Sequence, residues 1–184
     1  PLGGAGYKGY VSVNDAGCHG MITLRGDLSS PAVAEAVKAA TGQAVPAQRR
    51  IEGTLEGGAA WASPDELLLM MPDGESAAAL VRIEEAMGEA HHLAANVSDA
   101  RAVFRLTGKG LRDTLAKLSP ADLSPEALPA GEFRRSHVGQ VAAAFWFAGE
   151  EEAFLVCFRS VADYMFDLLG AAAAPGSEVG FHMA

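Results

Sequence analysis

An internal duplication is the feature that most constrains the fold, because one order of elements is predicted twice along the chain. In each half, a strand is followed by a helix, two further strands and a second helix. Gly26 and Gly108 end the first strands and lie 82 residues apart, as do the helix-ending glycines Gly88 and Gly170. Strand–helix alternation is common in α+β proteins, so coincidence is the alternative explanation.

The repeat predicts an α+β fold in which two β-α-β-β-α units form one compact body. Residues 20–97 are the first predicted unit, and residues 98–184 are the second. We expect residues 1–19 to form a flexible N-terminal segment. An insertion at residues 119–132 carries three of the nine prolines, and we expect a short helix there in an otherwise irregular loop.

Local signals mark the helix ends in both halves. Ser30 predicts an N-cap, Pro31 the first helical position and Gly42 the end of the same helix. For the last helix, Ser160 predicts the N-cap, and Asp163 occupies the capping-box position three residues later.

The stretch GAGYKG places Gly4, Gly6 and Gly9 in the spacing of a dinucleotide-binding loop. Such a loop requires a helix to begin beneath the third glycine, so that the helix N-terminus faces the pyrophosphate. The residues that follow, YVSVNDAG, predict an extended chain and not a helix. A glycine-rich flexible terminus is therefore the favoured interpretation.

Charge and composition exclude several classes of function. The chain has 14 basic and 23 acidic residues, a net charge of −9, and no basic stripe interleaved with aromatics, so we expect no nucleic-acid binding. Its longest apolar runs, at residues 67–71 and 141–148, are far shorter than the ~20 residues that span a bilayer, so we expect no membrane insertion. The two cysteines, Cys18 and Cys157, predict no disulfide framework, and we expect a cytoplasmic location.

The sequence predicts no catalytic residue and no metal site. Its cysteines and histidines lack metal-binding spacings such as C-x-x-C or H-x-x-x-H. Ser136 and His137 are neighbours, but a catalytic triad assembles its members from separate elements. LTGKG at residues 106–110 lacks the other residues of a phosphate loop, and the glutamates at 150–152 are typical of a solvated hairpin turn.

Aromatic residues concentrate in the predicted strands. The sequence leaves three alternatives open for the burial of these rings: a simple core, the sister half or another subunit. The residues are Trp61, Phe145, Trp146, Phe147 and Phe158.

Four segments carry a family resemblance: SPDELLLMMP, NVSDARAVFRLTGKGLRDTLAKLSPADL, HVGQVAAAFW and FRSVADYMFDLLGAA. In this order and spacing they resemble the gamma subunit family of bacterial heterotetrameric sarcosine oxidase. The resemblance covers about residues 20–174. It implies a fold like that of the folate-binding aminomethyltransferases, which also contains a repeat of this kind.

The resemblance also implies partners and an activity. Such enzymes oxidise sarcosine to glycine, form peroxide from oxygen and can pass one carbon to tetrahydrofolate. The alpha, beta and delta subunits are the implied partners, and FAD, FMN, NAD and tetrahydrofolate are implied in those subunits and not in this chain. Because the family assigns no catalytic residue to the gamma chain, it implies a structural role, with exposed apolar surface and either self-association or weak stability when the chain is isolated.

Two alternatives remain at this point. The equivalent subunit of a related N-methyl amino acid dehydrogenase would have a sequence of the same kind. A stand-alone folate-binding module would need an aromatic ring for the pterin, a carboxylate for its aminopyrimidine edge and a basic side chain for the glutamate tail. The residues that could supply these groups are Trp61, Asp65, Asp99, Arg101, Arg105 and Trp146.

Overall fold

The computed structural model describes residues 2–182 and divides them into two units. Unit 2 comprises Cys18–Asp99, and unit 1 comprises the described residues on either side of it. No helix within residues 2–182 has both the length and the apolar character needed to cross a membrane.

The described residues contain strands and helices in alternation. The strands are β1 (Gly6–Lys8), β2 (Ser12–Asp15), β3 (Gly20–Arg25), β4 (Ile51–Thr54), β5 (Gly57–Ser63), β6 (Glu66–Met71), β7 (Leu93–Asn96), β8 (Arg101–Thr107), β9 (Arg134–Val138), β10 (Val141–Phe147) and β11 (Glu152–Phe158). The α-helices are α1 (Pro31–Thr41), α2 (Ser76–Met87), α3 (Leu111–Ala116) and α4 (Ala162–Ala172).

Unit 2 is an antiparallel sheet with two helices against one face. Its strand order is β4-β5-β6-β3-β7. Alternate residues of the strands, such as Leu24 and Leu67, bury their side chains with Val37 of α1 and Ile83 of α2. Burying an aliphatic side chain of this size contributes about 1.5–3 kcal/mol, so this cluster holds the helices on the sheet.

Unit 1 has the same plan with a longer sheet. Its strands are antiparallel in the order β1-β2-β8-β11-β10-β9, and its helices are α3 and α4. Phe104, Phe145 and Phe147 are fully buried in one cluster with Leu115 of α3 and Leu169 of α4. The mixed α+β fold is thus the one that the sequence predicts.

Equivalent glycines make the same hydrogen bond in the two units. Gly26 N–H donates to the carbonyl oxygen of Asp65, and Gly108 N–H donates to that of Glu151, each at 3.0 Å. Asp65 immediately precedes β6, which lies beside β3, and Glu151 immediately precedes β11, which lies beside β8. This correspondence supports the internal duplication.

The predicted order is retained, with one additional strand between the two helices of each unit. Two-residue turns separate β4 from β5 at residues 55–56 and β9 from β10 at residues 139–140. The sequence prediction merged each pair into one extended stretch. At the first of these turns, TLEG contains no strong turn signal at its centre.

Each sheet also includes a strand that leads into the other unit. β2 precedes β3 in the chain but pairs with β8, and β7 precedes β8 but pairs with β3. β7 therefore occupies beside β3 the position that β2 occupies beside β8. Such pairing joins residues distant in sequence, and local patterns do not predict it.

Helix ends follow the predicted signals at α1 but not at α4. Ser30 Oγ accepts a hydrogen bond from Val33 N–H, and Gly42 has the left-handed backbone that ends α1. Ser160 instead lies in a short 3₁₀ turn (Arg159–Val161), and α4 begins at Ala162 without a side-chain cap. The predicted N-cap at Ser160 is therefore wrong. The helix also continues past Gly170, which faces the Tyr7 ring.

The insertion at 119–132 contains isolated turns in place of the predicted short helix. Leu128 N–H donates to Ser124 O at 2.9 Å, and no helix is assigned between α3 and β9. Arg112 Nη1 donates to the carbonyl oxygens of Leu123 (2.6 Å) and Leu128 (3.0 Å). One half-buried guanidinium thus fixes a loop that has little backbone pairing of its own.

Residues 6–15 contain two strands in the part of the chain where the sequence predicts a flexible segment at residues 1–19. β1 and β2 form a hairpin on the edge of the unit 1 sheet, and Val11 and Val13 are fully buried. The tertiary partner, β8, lies about 90 residues away and could not be inferred from the glycine-rich composition.

The GAGYKG glycines serve this hairpin. Asp15 Oδ2 accepts hydrogen bonds from Leu2 N–H (2.9 Å) and Gly4 N–H (3.1 Å), and Oδ1 accepts one from Gly17 N–H (3.2 Å). The motif itself contains β1, and the Asp15 carboxylate already accepts the N–H of Gly4, the first residue of the motif. These residues do not fit a pyrophosphate, which agrees with the rejection of a dinucleotide site.

Asp15→Asn is expected to loosen residues 2–8 and to reduce their pH dependence. Burial acts to raise the pKa of Asp15, but the backbone donors Gly4, Gly17 and Leu2 outweigh it, so the pKa lies below its ordinary 3.8. A lowered folded pKa gives stability that is present above about pH 4 and lost as pH falls through the folded value. Hydrogen exchange of residues 2–8 should report a loss of about 1–3 kcal/mol at pH 7.

The matched control for that variant is Asp73→Asn at an exposed turn of unit 2, which should leave exchange in residues 2–8 unchanged. Equal exchange in Asp15→Asn and the parent chain at both pH 7 and pH 3 would contradict the role given to the carboxylate.

Candidate functional site

A polar cluster in unit 1 joins α3, α4 and the N-terminal hairpin. Lys117 Nζ donates to Tyr10 Oη (3.1 Å) and Ala172 O (2.8 Å), and it also contacts both oxygens of Ser177. Thr114 Oγ1 lies 2.8 Å from Tyr10 Oη. These groups satisfy the last carbonyl oxygens of α4 and hold the segment after it, so the cluster is structural.

Asp113 is a buried carboxylate that the sequence analysis did not single out. It is 2% exposed, and Oδ1 accepts the backbone N–H of His182 at 2.8 Å. Oδ2 is buried with no hydrogen-bond donor among residues 2–182. The carboxylate anchors the segment that follows α4, and its position on a short helix carried no sequence signal.

Trp146, one of the two tryptophans proposed to stack on a pterin, lies within an aromatic stack. Its ring centroid lies 5.3 Å from that of Phe154 and 5.7 Å from that of Phe133. Trp146 is only 4% exposed. A ligand ring would have to displace one of these neighbours, because offset stacking already occupies the indole.

The two candidate arginines of unit 1 already contact other side chains. The Arg101 guanidinium lies 4.2 Å from the centroid of the Phe158 ring. Arg105 Nε donates to Glu152 Oε1 at 2.6 Å. Arg105 lies in register with Phe154 and hence with Trp146, whereas Arg101 lies four residues earlier on β8, about 13 Å away along the strand.

The remaining candidates belong to unit 2 and are spread across its sheet. Trp61 is half-buried on β5, and Asp65 in the following turn accepts a hydrogen bond from Ser63 Oγ at 2.6 Å. Asp99 lies in a 3₁₀ turn (Ser98–Ala100) after β7. Because β5 and β7 are separated by β6 and β3, they lie about 14 Å apart, and the sheet does not bring Trp61 and Asp99 together.

The titratable side chains do not form a metal centre in the described part of the chain. No group of three or more His, Cys, Asp or Glu side chains that could hold a metal ion occurs within residues 2–182. The nearest approach is pairwise: His19 Nδ1 lies 3.3 Å from Glu56, and His92 Nε2 lies 3.1 Å from Glu84. Both pairs lie within unit 2.

The two cysteines differ in reactivity, and a thiol titration would separate them. Burial raises the pKa of Cys157 to about 11, whereas Cys18 is exposed. Since the thiolate is the reactive form, one thiol per chain should react with an aromatic disulfide reagent at pH 8, and two after denaturation. Cys18→Ser should abolish the signal of the folded chain, and a remaining fast thiol in that variant would contradict the assignment.

Comparison with known proteins identifies the family. Residues 25–175 match the sarcosine oxidase, gamma subunit family. The chain belongs to this family. A sarcosine oxidase subunit gamma from Corynebacterium sp. (strain P-1) is 30% identical over 139 residues, which cover 74% of this chain. The matched segment spans 66% of the length of that relative.

Solved structures support both the assignment to the gamma subunit family and the description of the fold. A chain of the heterotetrameric sarcosine oxidase from Corynebacterium sp. U-96, solved in complex with pyrrole 2-carboxylate, has a TM-score of 0.80 and 25% identity. The alignment covers 89% of this chain and 83% of that one. The resemblance seen in the four sequence segments is confirmed.

The aminomethyltransferase-like fold is confirmed as well. Glycine cleavage system aminomethyltransferase T from Bartonella henselae aligns with a TM-score of 0.60 and 14% identity. The alignment covers 85% of this chain and 45% of the aminomethyltransferase. At this identity the likeness shows a common fold and carries no binding site across.

Proposed function

We propose that this chain is a non-catalytic, structural subunit of a heterotetrameric sarcosine oxidase. The observation that carries the proposal is the TM-score of 0.80 over 89% of the chain to a subunit of such an enzyme. In this role the chain packs against partner subunits and stabilises their assembly.

The side-chain chemistry supports a structural role. The best-connected polar groups of unit 1, namely Asp15, Arg112 and Lys117, bind backbone groups of the same unit. Trp146 is enclosed by aromatic rings, and Cys157 is kept as a thiol by burial. A nucleophile or general base would need a reactive group that contacts substrate, whereas these groups contact other parts of the same unit.

The proposed partners are the alpha, beta and delta subunits, in the cytoplasm. The assembled enzyme would oxidise sarcosine to glycine, with peroxide formed from oxygen and the methyl-derived carbon passed to tetrahydrofolate. FAD, FMN, NAD and tetrahydrofolate would be bound by the partner subunits.

Co-expression of the tagged chain with the other three subunits tests the proposal. The eluate should contain all four chains by mass spectrometry, absorb in the flavin band and oxidise sarcosine. Assays with other N-methyl amino acids, each followed by oxygen uptake and by reduction of an added electron acceptor, decide between a sarcosine oxidase and a related dehydrogenase. A colourless eluate that contains the tagged chain alone, with the partners present and folded in the lysate, would contradict the proposal.

Folate binding by the isolated chain is the competing function, and it makes a distinct prediction. A folate stacked near Trp61 or Trp146 would quench tryptophan fluorescence with saturation. We expect no saturable quenching, because Trp146 is enclosed and the other candidates are dispersed within their units. Quenching that Trp61→Phe removes would favour the folate-binding module.

A further inference from the structure

The two sheets present four edge strands, and β7 differs from the other three. β1 carries Lys8, β4 carries Glu52, and β9 carries Arg134 and Arg135. Charged side chains on an edge strand discourage pairing with another chain. β7 has the sequence LAAN and carries no charge, and Leu93 at its start is 57% exposed.

The outer side of β7 offers backbone groups for pairing. Val97 N–H donates to Met21 O at 2.8 Å, which fixes the alternation of hydrogen-bonded pairs between β7 and β3. By this alternation the backbone groups of Ala94 and Asn96 point away from β3. Within residues 2–182 these groups have no backbone partner on that side. An extended chain is the ligand that matches such a row of donors and acceptors.

The side chains of β7 define what an added strand would meet. Ala94 packs against the helix-facing cluster of unit 2, so Leu93, the next residue along the strand, lies on the opposite face. Leu93 is in register with Arg25 of β3. An added strand would therefore cover Leu93 best with an apolar side chain on that face.

We propose that β7 is a docking edge for an extended strand of a partner subunit, an inference that rests on the proposed function. The strand would bond to the backbone of Ala94 and Asn96 and cover Leu93, as one part of a larger interface. A different subunit is favoured over a second copy because two copies would each bring a net charge of −9 to the contact.

Paired variants of equal exposure test the docking edge in the co-expressed complex. Leu93→Glu places a negative charge on the edge strand beside the positive charge of Arg25, so the substitution should not destabilise unit 2. Val81→Glu on α2 is the matched control, because Val81 is also 57% exposed. Leu93→Glu should weaken retention of the partner subunits about tenfold or more, and Val81→Glu should leave retention unchanged. Ala94→Pro, which removes only an outward N–H, should act like Leu93→Glu.

Hydrogen exchange supplies the second readout. The amides of Ala94 and Asn96 should exchange quickly in the isolated chain and be protected in the complex, while the amide of Ala95 is protected in both. Wild-type retention by Leu93→Glu, with unprotected Ala94 and Asn96 in an intact complex, would overturn the inference and leave the subunit role standing. Dimerisation of the isolated chain that Leu93→Glu abolishes would replace the partner strand with a second copy. Failure of the unmodified chain to assemble removes the proposed function, and the inference with it.

Discussion

Gly9→Ala is expected to detach the N-terminal hairpin from α4 and to cost about 2–4 kcal/mol of unfolding free energy. A Cβ at Gly9 would overlap the carbonyl oxygen of Ala173 and lie 2.8 Å from its carbonyl carbon. That oxygen also accepts the N–H of Tyr10 at 3.0 Å, so it cannot move aside without loss of a hydrogen bond. Denaturant unfolding gives the free energy, and hydrogen exchange shows whether β1 and β2 open first.

Gly149→Ala is the matched control for Gly9→Ala. A Cβ at Gly149 would have no atom within 4 Å, and its backbone is not left-handed. Its unfolding free energy should lie within about 0.5 kcal/mol of the parent chain. If Gly9→Ala is as stable as Gly149→Ala, the hairpin does not approach α4 as closely as described.

Phe145→Ala is expected to destabilise unit 1 by about 3–5 kcal/mol. Phe145 is fully buried on β10, within the cluster that joins the sheet to α3 and α4. Truncation removes the buried ring and leaves a cavity that a sheet paired on both sides cannot close. Thermal and denaturant unfolding measure the loss, and the yield of assembled complex should fall with it.

Phe158→Ala provides the comparison within the same sheet. Phe158 is 49% exposed and contacts the Arg101 guanidinium, so its truncation should cost only about 1 kcal/mol. Equal losses for Phe145→Ala and Phe158→Ala would contradict the assignment of Phe145 to the core.

The candidate site was predictable only in part. Residue patterns predicted no catalytic group. The folate-binding residues remain a proposal, and within each unit the candidate residues do not lie close together. Asp113 and the Lys117 cluster carried no signal, because their partners are backbone groups near residues 172–182. Asp15 was missed for the same reason, since its three donors follow from the path of a glycine-rich chain.

By itself the sequence determined the ends of α1 and the repeat. Ser30, Pro31 and Gly42 bound α1 because capping depends on groups within about four residues of the helix end. Gly26 and Gly108 marked the duplication because each directly follows the first strand of its unit and makes the equivalent backbone hydrogen bond.

Only the tertiary structure decided which strands pair and which side chains are enclosed. β2 joins β8 and β7 joins β3 across long stretches of chain, and no local pattern specifies a partner so distant. The enclosure of Trp146 by Phe133 and Phe154 likewise required three segments to meet. Strand pairing and burial depend on what the rest of the chain brings alongside, whereas helix caps and turns depend on immediate neighbours.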